Sequence, residues 1–175
     1  DGALKGLALA ATLLIFFVAL KLYLGFDTAL AAMQFQLDMP WLPSFGINYF
    51  LGIDGISLLM IMLPPLLMPV AVLASFSYIK ESRRGYYVCL MFLEASMIGV
   101  FAALDLFAFY LFWEGMLIPM YFLIGIWGGP RRIYAALKFF IYTMAGSVLM
   151  LVAILWVVSA HHAATGAWTF SLPAL

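Results

Sequence analysis

The chain has 175 residues, of which 67% are hydrophobic and only 9% charged, with no net charge at pH 7. A water-soluble domain usually carries about a quarter charged residues, so this chain has too few to cover a water-facing surface and lipid must be its main solvent. The balanced charge offers no basic surface for nucleic acid, and the single cysteine, Cys89, excludes a disulfide framework or a cysteine-built metal cluster.

The first apolar stretch runs over residues 4–24. A loop, 25–54, follows it. Four more apolar stretches cover 56–79, 86–104, 106–126 and 133–159. Each is near or above the ~20 residues that cross ~30 Å of hydrocarbon as a helix. They are apolar on all sides, unlike barrel strands, which alternate over ~10 positions. The expected fold class is all-α: a polytopic transmembrane helix bundle, forming one domain over 1–175. The loop holds Pro40-Trp41-Leu42-Pro43 and then Phe45 to Gly52. Its aromatics suit a membrane interface, and its glycine-bounded apolar runs suggest a short hairpin near Phe45–Leu51.

The loop charges orient the bundle. Lys5, Lys80, Arg83, Arg84, Arg131 and Arg132 fall on one side if the helices alternate, and Asp27, Asp38, Asp54 and Asp105 on the other, with Lys21 as an exception. The positive-inside rule places the basic side in the cytoplasm or its equivalent, and the loop 25–54 on the outer face. Asp1-Gly2 is not a natural translation start and no signal peptide is expected. Both ends, the last being Ser171-Leu172-Pro173-Ala174-Leu175, look like cuts through a longer chain.

A charge deep in a membrane helix costs roughly 2.5–3.5 kcal/mol on insertion scales, so it usually faces a partner or a water-filled path. Glu114 is eight residues past Leu106, or ~12 Å deep. Burial disfavours its ionised form and a nearby lysine would favour it, and a carboxylate poised between the two takes up and releases protons. The alternative is a static hydrogen-bonder. Lys138 lies seven residues after Arg131, ~10 Å along the last helix. It is a proton carrier or counter-charge unless its long stem snorkels to the interface. Glu94 is eight residues from Tyr86, ~12 Å deep, and would meet Lys138 if their helices were neighbours. A static pair, or a protonated Glu94 bonded to a carbonyl, is the alternative. Pro119 crowds the carbonyl of Gly115 and kinks the helix just past Glu114, and Pro64, Pro65 and Pro69 make the second helix irregular. His161 and His162 are adjacent rather than four apart, which reads as a solvated loop rather than a metal pair. No phosphate loop or nucleotide fingerprint appears, so no cofactor is expected.

Three stretches then resemble a known family. Tyr49–Leu58 contains Phe50-Leu51-Gly52-Ile53-Asp54-Gly55. Phe101–Tyr121 contains Phe112-Trp113-Glu114 and Ile118-Pro119-Met120-Tyr121. Gly125–Thr143 contains Trp127-Gly128-Gly129-Pro130-Arg131-Arg132 and Leu137-Lys138-Phe139-Phe140. They resemble the antiporter-like membrane subunits of proton-translocating NADH–quinone oxidoreductase (complex I), following the subunit M (chain 4) pattern. The resemblance implies about five helices, the second through sixth, of a larger antiporter-like fold. Glu114 would match the glutamate used in proton translocation, with its partner lysine on the next helix. It also implies other membrane subunits as partners, no flavin, iron–sulfur or quinone site in this chain, and a bacterial cell inner membrane, or the mitochondrial one if the source is eukaryotic. Alternatives are a subunit of a multisubunit cation/proton antiporter or membrane-bound hydrogenase, which share the fold, and a structural or assembly membrane protein, against which buried Glu94 and Glu114 argue.

Overall fold

The computed structural model describes residues 2–175. Helix α1 spans Gly2–Leu24, α2 Gly55–Tyr78, α3 Arg83–Ala102, α4 Leu106–Trp127 and α5 Arg132–Thr165. All five are long and apolar enough to cross a membrane. They pack in chain order, α1 on α2, α2 on α3, α3 on α4 and α4 on α5.

Between α1 and α2, strands β1 (Gln34–Leu42) and β2 (Ile47–Ile53) pair antiparallel, with Asp38 opposite Phe50 and Met39 opposite Tyr49. The hairpin is longer than the expected Phe45–Leu51 element, because Gln34–Leu42 pairs along most of its length with β2. Its tip is the single turn Pro43–Phe45 closed by Gly46 at φ 66°. A Cβ on Gly46 would run into the Trp168 carbonyl, so glycine is required there for both space and conformation.

The helix starts are written in side chains. The Asp54 carboxylate accepts the Ser57 N–H at 2.7 Å while the Ser57 hydroxyl accepts the Asp54 N–H at 2.8 Å, a reciprocal capping box for α2. Asp105 caps α4 by accepting from the N–H groups of Phe107 and Ala108. Its other oxygen accepts the Asn48 N–H of β2 at 3.1 Å. The segment around Asp105 is thereby held between the hairpin and the end of the chain: Leu104 N–H donates to Phe50, Leu106 N–H to Phe170 and Leu172 N–H to Leu104, each at 2.8 Å.

At the opposite end the connections are short and basic. The Lys5 ammonium donates to the Phe76 carbonyl at 2.8 Å, and the Trp127 indole donates to the Glu81 carbonyl at 2.9 Å. The bundle thus has a basic end and a hairpin end. The two largest departures from the sequence reading are at the start of α3 and the end of α5. Helix α3 takes in Arg83 and Arg84, and α5 runs on through His161 and His162 to Thr165 because Ala163 and Ala164 extend it and Gly166, at φ 77°, stops it. His162 therefore lies in the last helical turn, stacked on Trp168 with ring centres 4.0 Å apart, rather than in a solvated loop.

Candidate functional site

Helices α4 and α5 carry the best-placed ionisable group. Gly125 faces Ala136, and the Tyr121 ring meets Phe140 at 5.7 Å between centres. Further out, Tyr110 packs against the Ile154–Val158 cluster. This antiparallel register sets Glu114 level with Ser147. It sets Lys138 level with Leu123, nine residues or about 13 Å nearer the basic end.

Glu114 is half-buried, and its Oε1 is buried without a hydrogen-bond partner among the described residues. One turn away, the Tyr110 hydroxyl interacts with Glu114 and with Ser147 of α5. Ser147 is itself buried and donates to the Met144 carbonyl at 3.0 Å. Pro119 lies inside α4 and is buried. It deprives the Gly115 carbonyl, beside Glu114, of its helical donor. On the other side of α4, Gly115 lies against Ser96 of α3. A carboxyl at mid-depth with one oxygen free and hydroxyls on the neighbouring turn is suited to exchange a proton.

Lys138 is exposed, and its ammonium turns back over the Tyr134 ring at 5.9 Å. That is the snorkelling arrangement, directed to the basic end. With Arg131, Arg132 and Tyr142 it lines a groove of about 950 Å³.

Glu94 is 0% exposed and neither of its oxygens has a hydrogen-bond partner among the described residues. The expected meeting of Glu94 with Lys138 does not occur: α3 packs on α2 and α4, whereas α5 packs on α4. None of the three sequence candidates is hydrogen-bonded to another. The sequence reading missed Tyr110 and Ser147. Tyr110 was findable, since a residue four before Glu114 shares its helix face. Ser147 was not, because only the α4–α5 register selects it from the other hydroxyls of α5. It also missed the inter-element role of Asp105, although the Asp-Leu-Phe-Ala sequence is a readable N-cap.

The family described as NADH-ubiquinone oxidoreductase chain 4, amino terminus, matches residues 4–100. The transmembrane family of NADH:quinone oxidoreductase and the Mrp antiporter matches residues 103–171. NADH-quinone oxidoreductase subunit M of Rhodobacter capsulatus is 53% identical over 153 residues, which are 87% of this chain and 29% of that protein. The subunit M of Escherichia coli strain K12 is 51% identical over 143 residues, 79% of this chain and 28% of that protein. A chain in the structure of respiratory complex I from Thermus thermophilus with bound NADH superposes with a TM-score of 0.82 at 30% identity, over 97% of this chain and 34% of that one. The chain thus spans less than a third of the length of these two curated relatives.

Proposed function

The chain belongs to the NADH-ubiquinone oxidoreductase chain 4 family, and from that membership we propose that it is part of the proton-translocating membrane subunit of an NADH–quinone oxidoreductase. It moves protons through buried ionisable groups, coupled to electron transfer elsewhere in the complex. The observation that carries the site assignment is Glu114, at mid-depth in α4 with Oε1 buried and free of hydrogen bonds. In this reading Glu114 takes and gives the proton, and Tyr110 and Ser147 orient its carboxyl. Lys138 supplies a counter-charge at the basic end, and Glu94 is a further group able to hold a proton. Other membrane subunits pack around it. The basic end faces the cytoplasm of a bacterial inner membrane, or the equivalent side of a mitochondrial one, as the lysine and arginine distribution supports.

Glutamine keeps the shape of Glu114 but removes the titratable proton, and aspartate keeps the acid on a shorter stem. In the assembled complex, Glu114→Gln is expected to abolish most proton pumping while leaving assembly intact, and Glu114→Asp to retain more. A static hydrogen-bonder would give the reverse order. Normal pumping by a fully assembled Glu114→Gln complex would refute the proposal. A second reading, a subunit of a cation/proton antiporter, draws on the description of the family that matches residues 103–171. The subunits that copurify from the native membrane separate the two.

A further inference from the structure

Glu94 belongs to a different face from Glu114. On α3, Tyr87, Leu90 and Glu94 are buried at helical spacing. Tyr87 and Leu90 pack with Met68 and Val72 of α2, and Ile98, one turn past Glu94, packs with Leu58 and Ile61 of the same helix. The stripe containing Glu94 therefore faces α2. Ser96, which lies against Gly115 of α4, is about 200° around the helix from Glu94 at 100° per residue. The α3 backbone thus stands between Glu94 and the helix that carries Glu114.

The surroundings of Glu94 differ in its two directions. Toward the hairpin end lie Ile98 and Ala102, sealed by Ile53, Leu58 and Ile61. Toward the basic end, the Tyr87 hydroxyl meets Ser75 Oγ at 3.2 Å in a buried pair. Ser75 also lines a groove of about 410 Å³ at the basic end of α2 and α3, with Ala71, Tyr78 and Tyr86. The Cα–Cβ bonds of a helix tilt toward its N-terminus, which for α3 is the basic end, so the Glu94 stem leaves α3 tilted toward the turn of Leu90. Helix α2 adds acceptors at this depth. Pro69 removes the N–H that would bond the Pro65 carbonyl, and the Ser75–Tyr87 contact sets Met68 and Pro69 level with Glu94. An isolated ionised carboxylate buried in this way is far too costly without a paired cation, so a group placed here holds a proton.

We propose that Glu94 is a second proton-binding carboxyl that exchanges with the basic face alone, through the Tyr87–Ser75 hydroxyl pair, and that α3 insulates it from Glu114. The proton enters by way of hydroxyls and water from the inner groove. It rests on Glu94 as the neutral acid, near the depth of the Pro65 carbonyl that Pro69 leaves without its helical donor. The apolar turn formed by Leu90 and Val72 lies between the pair and the acid and makes the exchange slow. The inference deepens the proton-translocation reading, but its test does not use pumping, so either can fail alone.

The test is infrared spectroscopy of the whole complex in lipid vesicles transferred from H₂O to D₂O. The neutral-carboxyl band lost in Glu94→Gln identifies the group, and its deuterium shift gives the exchange rate. Tyr87→Phe and Ser75→Ala, each removing one hydroxyl, are expected to slow that exchange by about tenfold, equivalent to about 1.4 kcal/mol of barrier. Glu114→Gln is expected to leave it unchanged. The proposal is overturned if Glu94→Gln removes no neutral-carboxyl band, or if the wild-type band never exchanges. It is equally overturned if both hydroxyl variants exchange at the wild-type rate, or if Glu114→Gln slows the Glu94 band.

Discussion

Replacing Asp105 should unfasten the hairpin from the bundle in a way that two variants resolve atom by atom. The residue is 1% exposed. Its Oδ1 accepts the N–H groups of Phe107 and Ala108 at 2.9 and 3.1 Å, and its Oδ2 accepts the Asn48 N–H at 3.1 Å. Loss of an N-cap side chain costs roughly 0.5–2 kcal/mol. Stranding a buried donor costs a further ~1–3 kcal/mol, and because Asn48 is only half-buried its share falls at about 1 kcal/mol. Asp105→Ala should therefore destabilise by about 1.5–3 kcal/mol. Asp105→Asn keeps one oxygen for the cap but turns an amide NH₂ against the Asn48 N–H. Amide hydrogen exchange of the complex, read at single residues, is the assay. Both variants should lose protection at Asn48 by about five- to tenfold, and only Asp105→Ala should also lose it at Phe107 and Ala108. Unchanged protection at Asn48 in both variants would show that the carboxylate does not tie the hairpin down.

Two further outcomes follow from the caps and the close contacts. The hydrogen bond from the Ser57 N–H holds the Asp54 carboxyl below its ordinary value of 3.8, so the unfolded state binds the proton more readily. The stabilisation is then complete above that ordinary value and is lost as pH falls through the lower folded one, and the melting difference between wild type and Asp54→Asn should shrink steadily below pH ~4. A Cβ on Gly99 would overlap the Phe112 ring, so Gly99→Ala should lower stability by about 1–3 kcal/mol, with Phe112→Leu restoring part of it in a thermal-melt double-mutant cycle.

The membrane spans were legible because they rest on composition: a run such as Leu4–Leu24 has no polar face to hide, and length then decides. The helix ends were legible less well. Arg83 and Arg84 look like loop residues to a hydropathy reading, yet nothing in their backbone prevents a first helical turn, and the Arg83 side chain reaches back to the Ile79 carbonyl at 2.9 Å. The hairpin was foreseen only in its second strand, since β1 carries Pro40, a poor strand residue, and its register shifts between Gln34 and Leu37 and again between Pro40 and Leu42. Of the candidate site, the charged residues were visible because charge in a membrane run is rare. Their grouping was not, because it depends on which helix faces which. The order of packing around α4 excludes the Glu94–Lys138 meeting, and no one-dimensional pattern encodes that order.

The magnitudes also constrain how Glu114 works. Lys138 is displaced from it by at least about 13 Å along the bundle. At an effective dielectric constant of ~20 two unit charges that far apart interact by only about 1 kcal/mol. The cost of a charge at this depth is roughly 2.5–3.5 kcal/mol, so Lys138 alone does not offset ionisation of Glu114. The Tyr110 hydroxyl can add a hydrogen bond to the carboxylate, worth about 1.5–3 kcal/mol when the acceptor is charged, but Tyr110 is also engaged with Ser147. A carboxyl that releases its proton here needs a cation within ~4–6 Å, on the side where Oε1 is free. Proton exchange at Glu114 would then depend on such a cation far more than on Lys138. On this arithmetic Lys138→Met should lower pumping only several-fold, and a loss as deep as that of Glu114→Gln would mean that Lys138 itself carries the proton.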